Sequence, residues 1–211
     1  MKMPKVSIGI TTYKRLNKLI RCVRSILSQS YENFEILIGN DDVDQKILPE
    51  MDDVFKVNKV KIINNDKNLG ERENMNNLLK SSLGEYFIWL SDDDFLFPTF
   101  LERNIEAHKQ NDTIIVSYTS YTSINQKNSK KKEFKIFNQI EFLENFLSKK
   151  IKLIGVYGLF KKKYLDEIGG MQITSKSLEN SNNEKMGIYP YADIILPIKI
   201  SKFGKIAYSY D

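Results

Sequence analysis

The chain has 211 residues, 41% apolar and 28% charged, with a formal net charge of +5. That composition excludes disorder, collagen and repeat arrays, and the length fits one domain. A lone cysteine, Cys22, and a lone histidine, His108, exclude an internal disulfide, cysteine metal cages and His-based triads beyond His108 itself, which leaves carboxylate chemistry. No run approaches the ~18 apolar residues of a membrane span, and Met1–Lys5 lacks the apolar core of a signal peptide. Residues 1–100 carry a net −1 and residues 101–211 a net +6, almost all of it lysine. Base reading and bidentate phosphate clamping favour arginine. The lysine excess therefore fits an anionic membrane or acceptor, or a plain solvated surface, better than nucleic acid.

Lys5–Thr11 reads as a strand. Leu16, Leu19, Ile20, Val23, Ile26 and Leu27 recur at helical spacing and predict an amphipathic helix over 16–28, with Cys22 packing beside its stripe. Phe34–Ile38 and Val60–Ile63 are short apolar runs, predicted as buried strands. A helix is predicted over Arg72–Leu83, ended by Gly84. Tyr86–Leu90 is a strand that stops at Ser91-Asp92-Asp93-Asp94, Pro98 opens a helix to Gln110, and Thr113–Ser117 is a further strand. Tyr118–Phe137 reads as a hairpin with Lys130-Lys131-Lys132 at its tip, and Ile140–Leu147 as a helix. A strand-like run follows over Leu153–Phe160, then a short helix over Lys161–Ile168 ended by Gly169-Gly170, then a polar loop over Thr174–Gly187. A helix over Ala192–Lys202, delayed or kinked by Pro197, precedes a last strand over Lys205–Tyr210.

Strands separated by helices imply right-handed crossovers and a mainly parallel sheet, with ligands bound outside the carboxyl ends of its strands. Polar clusters stand at those ends: Thr11-Thr12-Tyr13, Asn40-Asp41-Asp42, Asn64-Asn65-Asp66 and Asp92-Asp93-Asp94. Three adjacent carboxylates repel one another unless a counter-charge is present. A hard divalent cation, magnesium or manganese, supplies one through oxygen ligands, with substrate phosphates completing the shell. A solvated acidic turn is the alternative on composition alone. Asp41 can accept from a ribose or a base edge, or can simply serve a turn. His108 is expected on the surface of its helix and Trp89 in the core. Tyr118, Tyr121, Tyr157 and Tyr191 are candidates for a sugar-stacking wall, although core packing is the commoner fate.

Taken in order, Pro4–Arg15, Ser25–Tyr31, Phe34–Asp42, Asn68-Leu-Gly70, Asn74-Met-Asn76, Gly84-Glu-Tyr86 and Leu90–Asp94 with Pro98 resemble family-2 glycosyltransferases. The resemblance covers about residues 4–105 and resumes weakly at Gly155–Gly170 and around Asp193. It implies a GT-A fold in one domain: a Rossmann-like sheet flanked by helices, about 1–117 binding a nucleotide sugar and a smaller half, about 118–211, binding the acceptor. By motif position Thr11, Tyr13 and Asp41 would hold the nucleoside, with Arg72 as a further contact. Asp92 would sit near the ribose and Asp93 would bind Mn2+ or Mg2+ on the diphosphate. Ser91 stands where the family commonly has a first aspartate. Asp193 would be the base of an inverting transfer, with a helix cap as the competing role and Asp166 and Glu184 as fallbacks.

The resemblance further implies a nucleotide-sugar donor, expected to be a UDP-sugar, and a glycan or lipid-linked acceptor in cell-surface polysaccharide synthesis. The place expected is the cytoplasm or the inner face of the membrane, with peripheral attachment there. The Gln-x-x-Arg-Trp signature of processive synthases is absent, so single-sugar addition is expected. If the sequence is part of a longer chain, acceptor- or membrane-binding elements lie beyond Asp211. Two alternatives remain: a non-catalytic nucleotide-sugar-binding module, and a sugar-nucleotide pyrophosphorylase. The second should carry a Gly-rich loop after the first strand, where this sequence has Thr11-Thr-Tyr-Lys-Arg15.

Overall fold

The computed structural model describes residues 5–120, 133–172 and 191–210. The polar loop 174–187, Lys130-Lys131-Lys132, Tyr121, Glu184 and the Tyr191 side chain lie outside the described residues. β1 (Val6–Thr12), α1 (Leu16–Leu27), β2 (Phe34–Asn40), β3 (Val60–Asn64), α2 (Glu71–Ser81), β4 (Tyr86–Ser91), α3 (Phe100–Gln110) and β5 (Ile114–Thr119) form the first part. β6 (Lys135–Phe137), α4 (Gln139–Leu147), β7 (Leu159–Lys161), α5 (Lys162–Glu167), α6 (Leu196–Ser201) and β8 (Lys205–Ser209) form the second. Among the described residues one sheet of eight strands runs through both parts, in the order β3-β2-β1-β4-β7-β5-β8-β6. β3, β2, β1 and β4 are mutually parallel, as are β5 and β8; β7 and β6 run against their neighbours. The mainly parallel α/β architecture expected from the strand–helix alternation is the one observed.

Helices cover both faces, so the inner strands are apolar on both sides rather than alternating with polar residues. Ile8, Ile10, Ile36, Ile38, Ile88 and Leu90 pack with Leu19, Val23 and Ile26 of α1 and with Leu101 and Ile105 of α3. Leu37, Phe87 and Trp89 point to the other face, against Met75, Leu78 and Leu79 of α2 and the core of the second half. Trp89 is buried as expected, its indole N–H donating to the Met75 carbonyl at 3.0 Å. Burying a side chain of that size contributes roughly 2–3 kcal/mol. Cys22 is a packing residue of α1, fully buried, and burial pushes its thiol pKa up.

Several expectations are corrected. His108 is not a surface residue: it is 2% exposed, with Nε2 at 2.9 Å from the Leu159 carbonyl and Nδ1 at 3.3 Å from that of Ile114. The segment needs a polar side chain inside, because it ties two strands to α3. Of the hairpin expected over Tyr118–Phe137, the described ends do not pair with each other, since β8 lies between β5 and β6, parallel to one and antiparallel to the other; residues 121–132 lie outside the described residues. Gly84 follows the helix cap at Ser82 without positive φ. A Cβ there would meet the Ser7 nitrogen at 2.7 Å, so close strand approach selects the glycine. Leu153–Phe160 is not one strand but a 3-10 turn, Gly155–Tyr157, followed by the three-residue β7. The helix carrying Pro197 does start late: a π-turn, Tyr191–Ile195, precedes α6.

Candidate active site

β1 and β2 end side by side, with Thr12 paired to Asn40. The chain then fixes Asp41 between them: its backbone N–H donates to the Thr12 carbonyl at 3.0 Å. Its buried carboxylate accepts from Asn65 Nδ2 at 2.8 Å and from the Leu69 N–H at 3.2 Å. Asn64 accepts from the Ile47 N–H and Asn40 Nδ2, so the cluster after β3 braces the one after β2. Thr11, Tyr13 and Asp41 line a cavity of about 290 Å³ together with Arg15, Asn68, Gly70, Glu71 and Asn74. Tyr13 is 46% exposed there, with Lys14 Nζ over its ring at 5.1 Å from the centre. Arg72 does not line this cavity; its guanidinium lies 3.5 Å from Glu73.

The acidic motif ends β4 beside the N-terminus of α1. Asp92 is fully buried, accepting from Thr12 Oγ1 at 2.6 Å. Its other oxygen lies 3.0 Å from Arg15 Nη2, off the hydrogen-bond axis, so it is a buried oxygen with an ion pair but no hydrogen bond. Burial raises the Asp92 pKa, while Thr12 and Arg15 pull it back. Asp93 is more open: Ser91 Oγ donates to one oxygen at 2.6 Å, and Arg15 and Lys18 face the other at 3.1 and 3.4 Å. The Ser91 bond, then the two cations, hold its pKa below the usual carboxylate range, so it is ionised. Ser91 thus orients Asp93 from the position where the family commonly has a first aspartate. Among the described residues no cluster of three or more His, Cys, Asp or Glu side chains could hold an ion by itself. One ionised carboxylate facing a cavity fits the mode in which magnesium or manganese takes protein ligands sparingly and substrate phosphates for the rest.

A larger cavity of about 570 Å³ opens on the far side of Thr11 and Glu71, lined also by Ser91, Asp93, Asp94, Leu153, Tyr157 and Asp193. The turn Gly155–Tyr157 joins its two walls. The Tyr157 hydroxyl donates to Asp94 and accepts from the Ser91 N–H. At the other end of the turn, the Gly155 N–H donates to Asp193 Oδ1 at 3.2 Å. A Cβ on residue 155 would stand 1.9 Å from the Ala192 carbonyl oxygen, so this approach requires glycine. Asp193 does not cap α6, whose N-cap, Ile195, makes no side-chain cap bond. Asp193 lies in the first turn of the π-turn that leads into α6, and it lines the cavity.

Asp166, the first fallback, pairs with Lys162 four residues earlier and lines a separate pocket. Of the tyrosines, Tyr118 is core, donating to the Gly155 carbonyl, and Tyr157 lines the cavity by binding Asp94. Arg15, Lys18 and Glu71 belong to the site although spacing did not single them out. A cation one turn into the helix after the first strand, facing the acidic motif across a parallel sheet, was the available signal.

The model of a family described as glycosyl transferase family 2 matches residues 7–169. An uncharacterized glycosyltransferase of Haemophilus influenzae is 32% identical over 112 residues, 53% of this chain and 35% of that protein. One of Methanocaldococcus jannaschii is 26% identical over 182 residues, 85% of this chain and 59% of that protein. The chain thus spans only about a third of the first relative's length. Among solved structures, S. aureus TarS 1-349 in complex with UDP superposes with a TM-score of 0.73 at 14% identity, over 98% of this chain and 58% of that one. Its complex with UDP-GlcNAc gives 0.70 at 14% identity, over 98% and 56%. Likeness at that identity establishes a shared fold.

Proposed function

The chain belongs to glycosyl transferase family 2, and we propose that it moves one sugar from a UDP-sugar to a hydroxyl of a glycan or lipid-linked acceptor, with inversion, in cell-surface polysaccharide synthesis. One observation carries this: two cavities share the wall formed by Thr11 and Glu71, with Asp41 in one and Asp93 and Asp193 in the other. A molecule with a nucleoside at one end and a sugar at the other spans such a pair. The UDP and UDP-GlcNAc complexes of S. aureus TarS support uridine as the base.

Thr11, Tyr13 and the immobilised Asp41 bind the nucleoside. Arg72 joins them if its side chain leaves Glu73, and Asp92 reaches the ribose only if Arg15 moves aside. Mn2+ or Mg2+ held by Asp93 would neutralise the charge of the departing diphosphate. Arg15 and Lys18 put two more positive charges at the same place. Asp193 takes the proton of the acceptor hydroxyl as its oxygen bonds to the anomeric carbon and the sugar–phosphate bond breaks on the opposite face, which inverts the centre. The reaction belongs in the cytoplasm, at the inner face of the membrane where the acceptor is lipid-linked. No described helix is long and apolar enough to cross a membrane.

The test is a thermal-shift screen of UDP, GDP, TDP and CDP sugars, with and without manganese. A UDP-sugar should raise the melting temperature most, by the equivalent of about 2.7 kcal/mol at ~100 times its dissociation constant. No shift with any nucleotide would sink the proposal. A second reading, metal-independent transfer, is favoured by the contact of Arg15 and Lys18 with Asp93. It predicts equal shifts with and without manganese.

A further inference from the structure

Most carboxylates on the cavity walls already have a partner. Asp41 accepts from Asn65 and Leu69, Asp93 from Ser91, Asp94 from Tyr157, and Asp193 from Gly155. Glu71 differs. It is the first residue of α2 and lines both cavities, yet among the described residues it has neither a hydrogen bond nor an ion pair. It is exposed to solvent, yet the part of it that the cleft wall covers raises its pKa, Arg15 works against the rise, and the charges of Asp193 and Asp92 add to it. A carboxylate left so is met by water, and a ligand that brings hydroxyl donors can take the water's place. A diphosphate brings only negative charge. A sugar brings hydroxyls on neighbouring carbons, which two carboxylate oxygens can accept together.

We infer that Glu71, at the boundary of the two cavities, binds hydroxyl groups of the donor sugar and so helps set which sugar is accepted. This rests on the proposed function and assigns that site a residue for the sugar, as distinct from the nucleoside and the diphosphate. The rest of the wall at this point offers Thr11 on one side and the apolar Met75 and Trp89 on the other, which can pack against a sugar ring but cannot accept from it twice.

The experiment compares the parent chain with Glu71→Ala and Glu71→Gln, all checked for equal melting temperature. Affinity is measured calorimetrically for UDP and for UDP-glucose, UDP-galactose, UDP-GlcNAc and UDP-GalNAc. Glu71→Ala should weaken the preferred UDP-sugar by about tenfold to a hundredfold and change UDP affinity by clearly less, with Glu71→Gln in between. An unchanged UDP-sugar affinity in Glu71→Ala would overturn the inference. So would an equal loss for UDP and UDP-sugar, which assigns Glu71 to the nucleoside, and so would a parent that binds no UDP-sugar more tightly than UDP. If the parent binds neither UDP nor any UDP-sugar, the uridine-nucleotide reading itself fails and takes this role with it. A variant that melts lower than the parent is replaced by Glu71→Gln alone, for which the same outcomes decide.

Discussion

The two ends of the sheet are built by different rules. From β3 to β4 the strands are parallel, five to seven residues long, and end in line, so their polar termini stand together without further help. From β7 to β6 the directions are mixed: β5 and β8 are parallel, β7 and β6 run against their neighbours, and β7 and β6 are three residues long. There Asp193, the proposed base, is held by one close contact between two irregular turns rather than by a strand end. In the proposed reaction the first end would hold the ligand through a rigid frame, and the second would hold the reacting group through a single backbone bond, whose geometry is easier to disturb without unfolding the chain.

The largest effect should come from the second end. Asp193→Asn keeps an oxygen for the Gly155 N–H, so folding and donor binding should stay at parent values. Transfer to an acceptor found by screening should fall by ~10²–10⁴, the usual loss on removing a general base. Near-parent transfer would move the base to Glu184 or to a residue beyond Asp211. The melting temperature must accompany the rate, since lost folding would mimic lost chemistry.

At the first end, two substitutions separate frame from charge. Asp41→Ala strands the Asn65 and Leu69 donors and should cost about 1–3 kcal/mol of stability. It should also weaken UDP binding equally with and without manganese. Asp93→Asn should remove only the manganese-dependent part of the UDP-induced thermal shift, because an amide brings no charge to the ion. A metal-dependent shift that survives in Asp93→Asn would reassign the ion.

The legibility of the sequence follows the same division. Buried parallel strands announce themselves as apolar runs, and their ends as polar clusters, because each is a property of a few consecutive residues. So β1, β2, β3 and β4 were readable, together with the placement of Thr11, Tyr13, Asp41 and Asp93 beside the strand ends, on the cavity walls. His108 was not, since a polar residue on a helix reads as exposed until β5 and β7 close over it. The bond from Gly155 to Asp193 joins positions 38 apart, and no local pattern encodes it. Arg72 shows the limit from the other side: motif position implied a nucleotide contact, while the side chain lies against Glu73.

His108 tests how firmly the two ends are joined, because it ties α3 to β5 and β7. Burial lowers its pKa to about 4, against an ordinary 6.5. The unfolded chain then binds more protons than the folded one between those values, so stability is full above about 6.5 and falls as pH drops toward 4. Between pH 7 and 5 the loss from this group should be about 2 kcal/mol. Measured by urea unfolding at both pH values, His108→Phe should be less stable at pH 7, with Leu159 deprived of its donor, and should show a shallower acid slope than the parent. Equal slopes would mean that other groups carry the acid sensitivity.

The smallest expected effect concerns the link between the acidic motif and the turn that holds Asp193. Tyr157 donates to Asp94 and accepts from Ser91, while its own turn donates to Asp193. Burial and Asp94 push the phenol pKa up, so the hydroxyl keeps its proton at any working pH and the link itself does not titrate. Tyr157→Phe should cost about 1 kcal/mol of stability. It should reduce transfer by less than Asp193→Asn does, since the turn remains anchored by Gly155. If the hydroxyl acts through Asp94, Asp94→Asn in the Tyr157→Phe background should cost less than in the parent, with a coupling of roughly 0.5 kcal/mol or more in a double-mutant cycle. Additive losses would show that the two ends of the sheet meet here by proximity alone, and that Asp193 is set by the Gly155 contact without help from the acidic motif.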